Sequence, residues 1–127
     1  MRQLAQNHAG LLAGAAGASA VLCGAFGAHA LRSVLDAPHY ELWHTAVDYH
    51  FWHALALALT AFAVKGRWRG IALLAFGIGI VLFSGSLYAL ALGAMRWIGI
   101  ATPIGGVAFI VGWIALGFGL RAKSASS

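Results

Sequence analysis

Three stretches of the chain run apolar with no formal charge: Ala9 to Leu31, Ile71 to Leu92 and Ile98 to Leu120. A fourth apolar run, Tyr49 to Val64, follows a segment richer in polar residues. A helix needs about 20 apolar residues to cross a bilayer, and each run is close to that length or extends from a longer helix that reaches it. The links Lys65–Gly70 and Gly93–Trp97 are short, which forces neighbouring helices to be antiparallel. The pattern predicts an all-α integral membrane protein: one antiparallel bundle of four transmembrane helices over 9–120, followed by a short basic cytoplasmic tail over 121–127. The first run is longer than the apolar region of a signal peptide, and the later spans would still need insertion. Ala20-Val21-Leu22-Cys23 resembles a lipoprotein processing site only superficially, because bulky Leu22 stands where a small residue is needed.

The second helix is expected to start before its apolar part. Asp36 suits an N-cap and Pro38 a first helical turn, so the helix is placed at 38–64, about 40 Å long at 1.5 Å per residue. At 100° per residue, His39, Trp43, Ala46, His50, His53 and Leu57 fall along one line, while Glu41, His44 and Asp48 fall on the other side. The first set is expected to face the other helices and the second set water.

Composition agrees with lipid as the solvent. Hydrophobic residues make up 61% of 127 and charged residues 9%, more apolar surface than so small a soluble domain could hide. The net charge of +5 comes from scattered Lys and Arg and forms no patch that would grip nucleic acid. Arg2, Lys65, Arg67, Arg69, Arg121 and Lys123 fall on one side of the spans, and only Arg32 and Arg96 on the other. The richer side is therefore expected to be cytoplasmic, with both termini there and the protein in the bacterial inner membrane. Trp43, Trp52 and Trp97 near one boundary and Trp68 near the other match an interfacial aromatic belt. The single cysteine, Cys23, excludes an intrachain disulfide and reads as a small core residue.

Small residues give the expected packing faces, because close backbone approach is how helices gain contact in lipid. Gly10, Gly14, Gly17 and Gly24 share a face of the first span, Gly77 and Gly85 one of the third. Gly105, Gly106 and Gly112, with Gly119, supply the fourth. These faces serve either the bundle itself or contact with a second copy or a larger membrane complex. Membrane lipids are the remaining partners.

Polar groups inside spans are costly and often functional. His29, Tyr49, His53, Ser84, Ser86, Tyr88 and Thr102 should lie at similar depth near the outer boundary, and a shared polar cluster is expected there. His50 and His53 are one turn apart, a spacing open to a metal ion, with His29 as a third nitrogen. No cysteine partner or carboxylate joins them in the apolar runs, so no metal and no cofactor is assigned. Thr102 and Pro103 are read as the cap and first turn of the last helix. No Ser-His-Asp order, Walker loop or HExxH motif is present, so no catalytic residue is assigned and the chain is not expected to be an enzyme.

Four motifs together carry a resemblance: Gly24-Ala-Phe-Gly-Ala-His29-Ala-Leu31, Thr45-Ala46 with Tyr49 and His53-Ala-Leu-Ala-Leu57, Leu82-Phe-Ser-Gly-Ser-Leu-Tyr88, and Thr102-Pro-Ile-Gly-Gly106 with Gly112-Trp113. Over about Gly10 to Leu120 the chain resembles the bacterial domain-of-unknown-function 423 family, relatives of eukaryotic transmembrane protein 256. The resemblance implies a small inner-membrane protein and no particular activity. Many members of that family carry Gln where this chain has His50, which makes His29, Tyr49 and His53 the better candidates for a shared site. Two functions are weighed on this basis. One is a structural or accessory subunit acting by helix–helix contacts. The other is a small transporter, channel or proton-coupled carrier with a polar cavity around His29 and His53. Metal, haem or lipid binding is the lesser alternative.

Overall fold

The computed structural model describes residues 2–125, with side chains from His8 onward. Among the described residues every regular element is helical: α1 (Arg2–Phe26), α2 (Ala37–Ala63), α3 (Arg67–Gly79), α4 (Gly85–Ala91) and α5 (Ala101–Ala125). A π-helical turn, Gly27–Leu31, extends α1, and another, Ile80–Ser84, joins α3 to α4 in one continuous rod. A 3₁₀ turn, Arg96–Ile100, leads into α5. Three of the resulting rods, His8–Leu31, Arg67–Ala91 and Arg96–Ala125, are long and apolar enough to cross a membrane.

Local chemistry sets the ends. Asp36 caps α2 by accepting the His39 backbone N–H at 3.0 Å, with Pro38 in the first turn. That N–H, and then the His39 ring at 2.6 Å, hold the Asp36 carboxyl below its usual 3.8. The charged cap therefore persists below the ordinary carboxylate range and is lost only as pH falls through the lowered value. Gly93 closes α4 at φ 95, and Ala94 N–H reaches back to the Ala89 carbonyl at 2.9 Å, a Schellman-type stop.

Several boundaries differ from the apolar runs. The third rod starts at Arg67 rather than near Ile71, because Gly66 at φ 76 turns the chain early and the long arginine stems tolerate a helix end. Most of the expected basic tail is helix, since α5 continues to Ala125. Thr102 lies inside α5, which starts one residue earlier, so it is not a cap.

Neighbours in sequence pack antiparallel, and α2 is the central helix, touching α1, α3, α4 and α5. α1 packs chiefly on α2, and α5 chiefly on α3. The core of the second pair is Phe76, Phe109, Ala115 and Leu116, joined from α2 by Ala56 and Leu57. The line predicted to face inward on α2 is buried at Trp43, Ala46, His50, His53 and Leu57 but not at His39, which is part-exposed and bonded to Asp36, while Glu41 and His44 are exposed and Asp48 is half-buried. Large apolar side chains point outward on every face; Phe62 is 88% exposed, with Leu22, Leu74 and Val81 each more than half so. Such a surface suits contact with acyl chains rather than water.

The α3–α5 interface is built from rings seated on glycines. A Cβ at Gly112 would lie 2.6 Å from the Phe76 ring, and one at Gly79 would lie 2.4 Å from the Phe109 ring. A Cβ at Gly105 would meet the Phe83 backbone nitrogen at 2.3 Å. Gly119 gives the same room to Val64, and Gly27 to the Trp43 ring. Of the glycines expected to form packing faces, Gly105 and Gly112 lie against the facing helix, a Cβ at Gly106 would be 3.8 Å from the Phe83 ring, and one at Gly24 would be 3.3 Å from Val47. Gly10, Gly14, Gly17, Gly77 and Gly85 meet nothing within 4 Å. The reason is rotation: α1 turns Ser19, Gly24 and Gly27 to α2, and the Gly10–Gly17 end of its small-residue stripe stays open.

Candidate functional site

Apart from Thr60, which donates to the Ala56 carbonyl of its own helix, the hydrogen-bonded polar side chains between the helices fall into three groups. In the first, Ser19 of α1, His50 of α2 and Tyr88 of α4 form a chain across three helices. Ser19 Oγ donates to the Ala16 carbonyl at 3.0 Å, so its one proton is committed. His50 Nε2–H therefore donates to Ser19 Oγ at 3.0 Å, and Nδ1 accepts the Tyr88 hydroxyl at 2.8 Å. These bonds assign a neutral Nε2–H tautomer. Beside them Trp43 donates its indole N–H to the Cys23 carbonyl at 2.9 Å and packs on Tyr88 with ring centroids 4.6 Å apart.

The second group ties α4 to its neighbours. Ser84, fully buried, donates to the Ala46 carbonyl of α2 at 2.8 Å. Ser86 donates to the Phe83 carbonyl, which leaves Thr102 of α5 as the donor in the Ser86–Thr102 pair. Phe83 and Ser84 both lie in the π turn, Phe83 against Gly105 of α5 and Ser84 against α2.

The third group centres on His53. Its Nδ1–H donates to the Tyr49 carbonyl at 2.6 Å, and Nε2 accepts the Trp113 indole N–H at 3.1 Å. The ring stacks on Phe109 at 3.5 Å and 9°. Tyr49 in turn packs on Phe83, centroids 4.4 Å apart. These rings border a groove of about 680 Å³ between α2 and α5, lined also by Trp52, Pro103 and Gly106.

The expected cluster is therefore redistributed. Tyr88 belongs to the first group, Ser84, Ser86 and Thr102 to the second, Tyr49 and His53 to the third. His29 joins none of them. It is exposed in the π turn, two residues beyond buried Gly27 and hence on the opposite side of α1, and it makes no hydrogen bond among the described residues. His29 and His53 are therefore not brought together: one is exposed on α1, the other is bonded to α5. His50, set aside in favour of His29, is instead a bridging residue. His50 and His53 do not converge as a ligand pair either: one ring serves α1 and α4, the other α5. Sequence reasoning missed Ser19, Trp113, Gly27 and Gly79. A usable signal existed for Trp113, since an indole N–H inside an apolar span needs an acceptor and His53 was the nearest one on offer.

Comparison with known proteins places this architecture. The family described as "Protein of unknown function (DUF423)" matches residues 23–106. The chain belongs to this family. It is 44% identical over 102 residues to "UPF0382 membrane protein YwdK" of Bacillus subtilis (strain 168), covering 76% of this chain and 82% of that protein. Identity to "UPF0382 membrane protein SSP2132" of Staphylococcus saprophyticus is 46% over 105 residues, 79% of this chain and 85% of that one. "UPF0382 inner membrane protein YgdD" of Escherichia coli (strain K12) is 40% identical over 99 residues, 73% of each chain. No solved structure matches. With its apolar rods, this family membership makes the DUF423 chain a multi-pass protein of the bacterial inner membrane. Every motif that carried the resemblance up to Gly106 falls inside the matched region.

Proposed function

We propose that this DUF423 protein is a structural or accessory subunit of the inner membrane, with four spans and both termini cytoplasmic, acting by helix–helix contacts. One observation carries the reading: the buried imidazoles and hydroxyls of the described residues, those of His50, His53, Thr60, Ser84 and Ser86, are used up in bonds between or within the bundle's own helices. His50, His53, Ser84 and Ser86 all have partners, so they do not line a water-filled path of the kind a transporter or proton carrier needs. Bonds of this kind hold membrane helices together at about 0.6 kcal/mol each. The open part of the molecule is α1, whose Gly10 and Gly14, with Ala13, border a shallow groove against Ala58, Ala61 and Phe62 of α2. A helix from another chain could approach closely there.

The fourth span is α2. Its 27 residues exceed the hydrocarbon thickness, and the histidines of its apolar run, His50 and His53, are both hydrogen-bonded. Lys and Arg set the orientation, as six of the eight lie at the end bearing both termini. Reporter fusions at the C-terminus and in the Lys65–Gly70 link should read as cytoplasmic, and one at Ala37 as external. An alkaline-phosphatase signal from the C-terminal fusion would refute the arrangement.

Native mass spectrometry from mild detergent tests the contact reading. The intact chain should carry a second copy or a protein partner, and Gly14→Leu, whose Cβ position has no atom within 4 Å, should release it while the monomer stays folded. A strictly monomeric, partner-free wild type would remove the reading.

A further inference from the structure

The groove between α2 and α5 is not used by the packing role, and its chemistry is selective. Six rings surround it: Tyr49, Trp52, His53, Phe83, Phe109 and Trp113. They are fixed in place, since the Tyr49 carbonyl holds His53, His53 holds Trp113, and Phe109 is stacked under His53. The groove opens sideways, because Trp52, Val107, Ile110 and Trp113 on its walls are 51%, 60%, 60% and 48% exposed on the bundle's outer surface.

Its polar capacity is of one kind. The Tyr49 hydroxyl and the Trp52 indole N–H make no hydrogen bond among the described residues, whereas both His53 nitrogens are engaged. No Lys, Arg, Asp or Glu lines it. The groove thus offers donors, flat faces and no charge, which disfavours a phosphate headgroup and favours a neutral ligand bearing acceptors. Its volume of about 680 Å³ is that of a small-molecule site, within the roughly 300–1,000 Å³ usual for ligand clefts. Aromatic walls reward a planar conjugated ring over a branched or acyl group.

We propose that this groove binds the ring of a prenylated quinone entering from the bilayer. The ring slides between the aromatic walls, a carbonyl accepts from Tyr49 Oη–H, and the apolar tail leaves past Val107 and Ile110 into lipid. The proposal is independent of the contact role of α1, and it assigns binding only, with no electron transfer.

The test uses the full chain in nanodiscs of phosphatidylethanolamine and phosphatidylglycerol, titrated with ubiquinone-1 and read by tryptophan fluorescence, since Trp52 and Trp113 border the groove. Wild type should quench saturably. Tyr49→Phe keeps the ring and removes one donor, and should weaken binding by roughly five- to ten-fold, the effect of one hydrogen bond. Gly106→Leu, whose Cβ position is 3.8 Å from the Phe83 ring, fills the groove and should abolish saturation. Linear partition-type quenching that is the same in all three proteins overturns the proposal, as does saturable binding that neither variant changes. Native mass spectra showing a bound phospholipid that ubiquinone-1 does not displace would overturn it too, in favour of a lipid site. Should Gly106→Leu fail to fold, Tyr49→Phe alone decides.

Discussion

Gly105→Ala is expected to be the most damaging single methyl that can be added to this protein. Its Cβ would lie 2.3 Å from the Phe83 backbone nitrogen and 2.8 Å from the Phe83 Cα, and a backbone held in a helix cannot swing aside as a side-chain tip can. Overpacking a tight core typically costs about 1–3 kcal/mol, and the rigid neighbour puts this site at or above the upper end. Relief would require α4 and α5 to separate, which would also stretch the Ser86–Thr102 pair and open the Tyr49–Phe83 contact. Thermal unfolding of purified protein in one detergent should show a large fall in Tm and a reduced folded yield. Gly85→Ala, two residues beyond Phe83 on the facing rod but with no atom within 4 Å of its Cβ position, serves as the control. It should be neutral, or gain up to about 1 kcal/mol from helix propensity. Equal Tm values for the two variants would mean that α4 and α5 do not touch at Gly105.

The second large effect is expected at His50. His50→Leu removes the acceptor of the Tyr88 hydroxyl and the donor to Ser19 in one step, leaving the phenol O–H with only the weakly accepting Cys23 thiol beside it. An unsatisfied buried group of this kind costs about 1–3 kcal/mol. His50→Gln should retain most of the stability, because an amide carries both an acceptor for Tyr88 and a donor for Ser19. A double-mutant cycle with Tyr88→Phe isolates the bond. The His50→Leu loss should shrink when Tyr88 is already Phe, since no hydroxyl is then stranded. Full additivity would contradict the His50–Tyr88 bond. The outcome also reinterprets a sequence observation. Glutamine at this position in many family members argued against His50, yet in hydrogen-bonding terms the two residues do the same job. The departure is a conservative one.

The helices were legible because lipid imposes a simple rule: about twenty apolar residues, bounded by charge, glycine or proline, make a rod. The inward line of α2 was legible for a similar reason, since 100° periodicity separates His50 and His53 from Glu41 and His44 without any knowledge of neighbours. What was not legible is the rotation of each rod about its own axis. In water a polar face betrays that angle, but α1 is apolar or small all round, and its Gly10–Gly14–Gly17 stripe looked like a packing face. The ring-on-glycine contacts at Gly79 and Gly112 depend on which phenylalanine sits opposite, a relation between two helices that one helix's spacing does not contain. Nor does local sequence announce the π turns. One of them holds exposed His29, the other Phe83 and Ser84, which serve different neighbours.

The central place of α2 has a consequence for how the chain is made. On the proposed topology, α2 is the span least able to partition into lipid by itself, and its histidines find their partners at different times. Ser19 precedes His50 in synthesis, but Tyr88 follows it, and Trp113, which satisfies His53, is made near the end. When α2 emerges it can therefore settle only against α1, with one imidazole half served and the other free at Nε2. The insertion machinery must then shelter α2 until the α3–α5 hairpin arrives, so the last helix synthesised completes the insertion of the second.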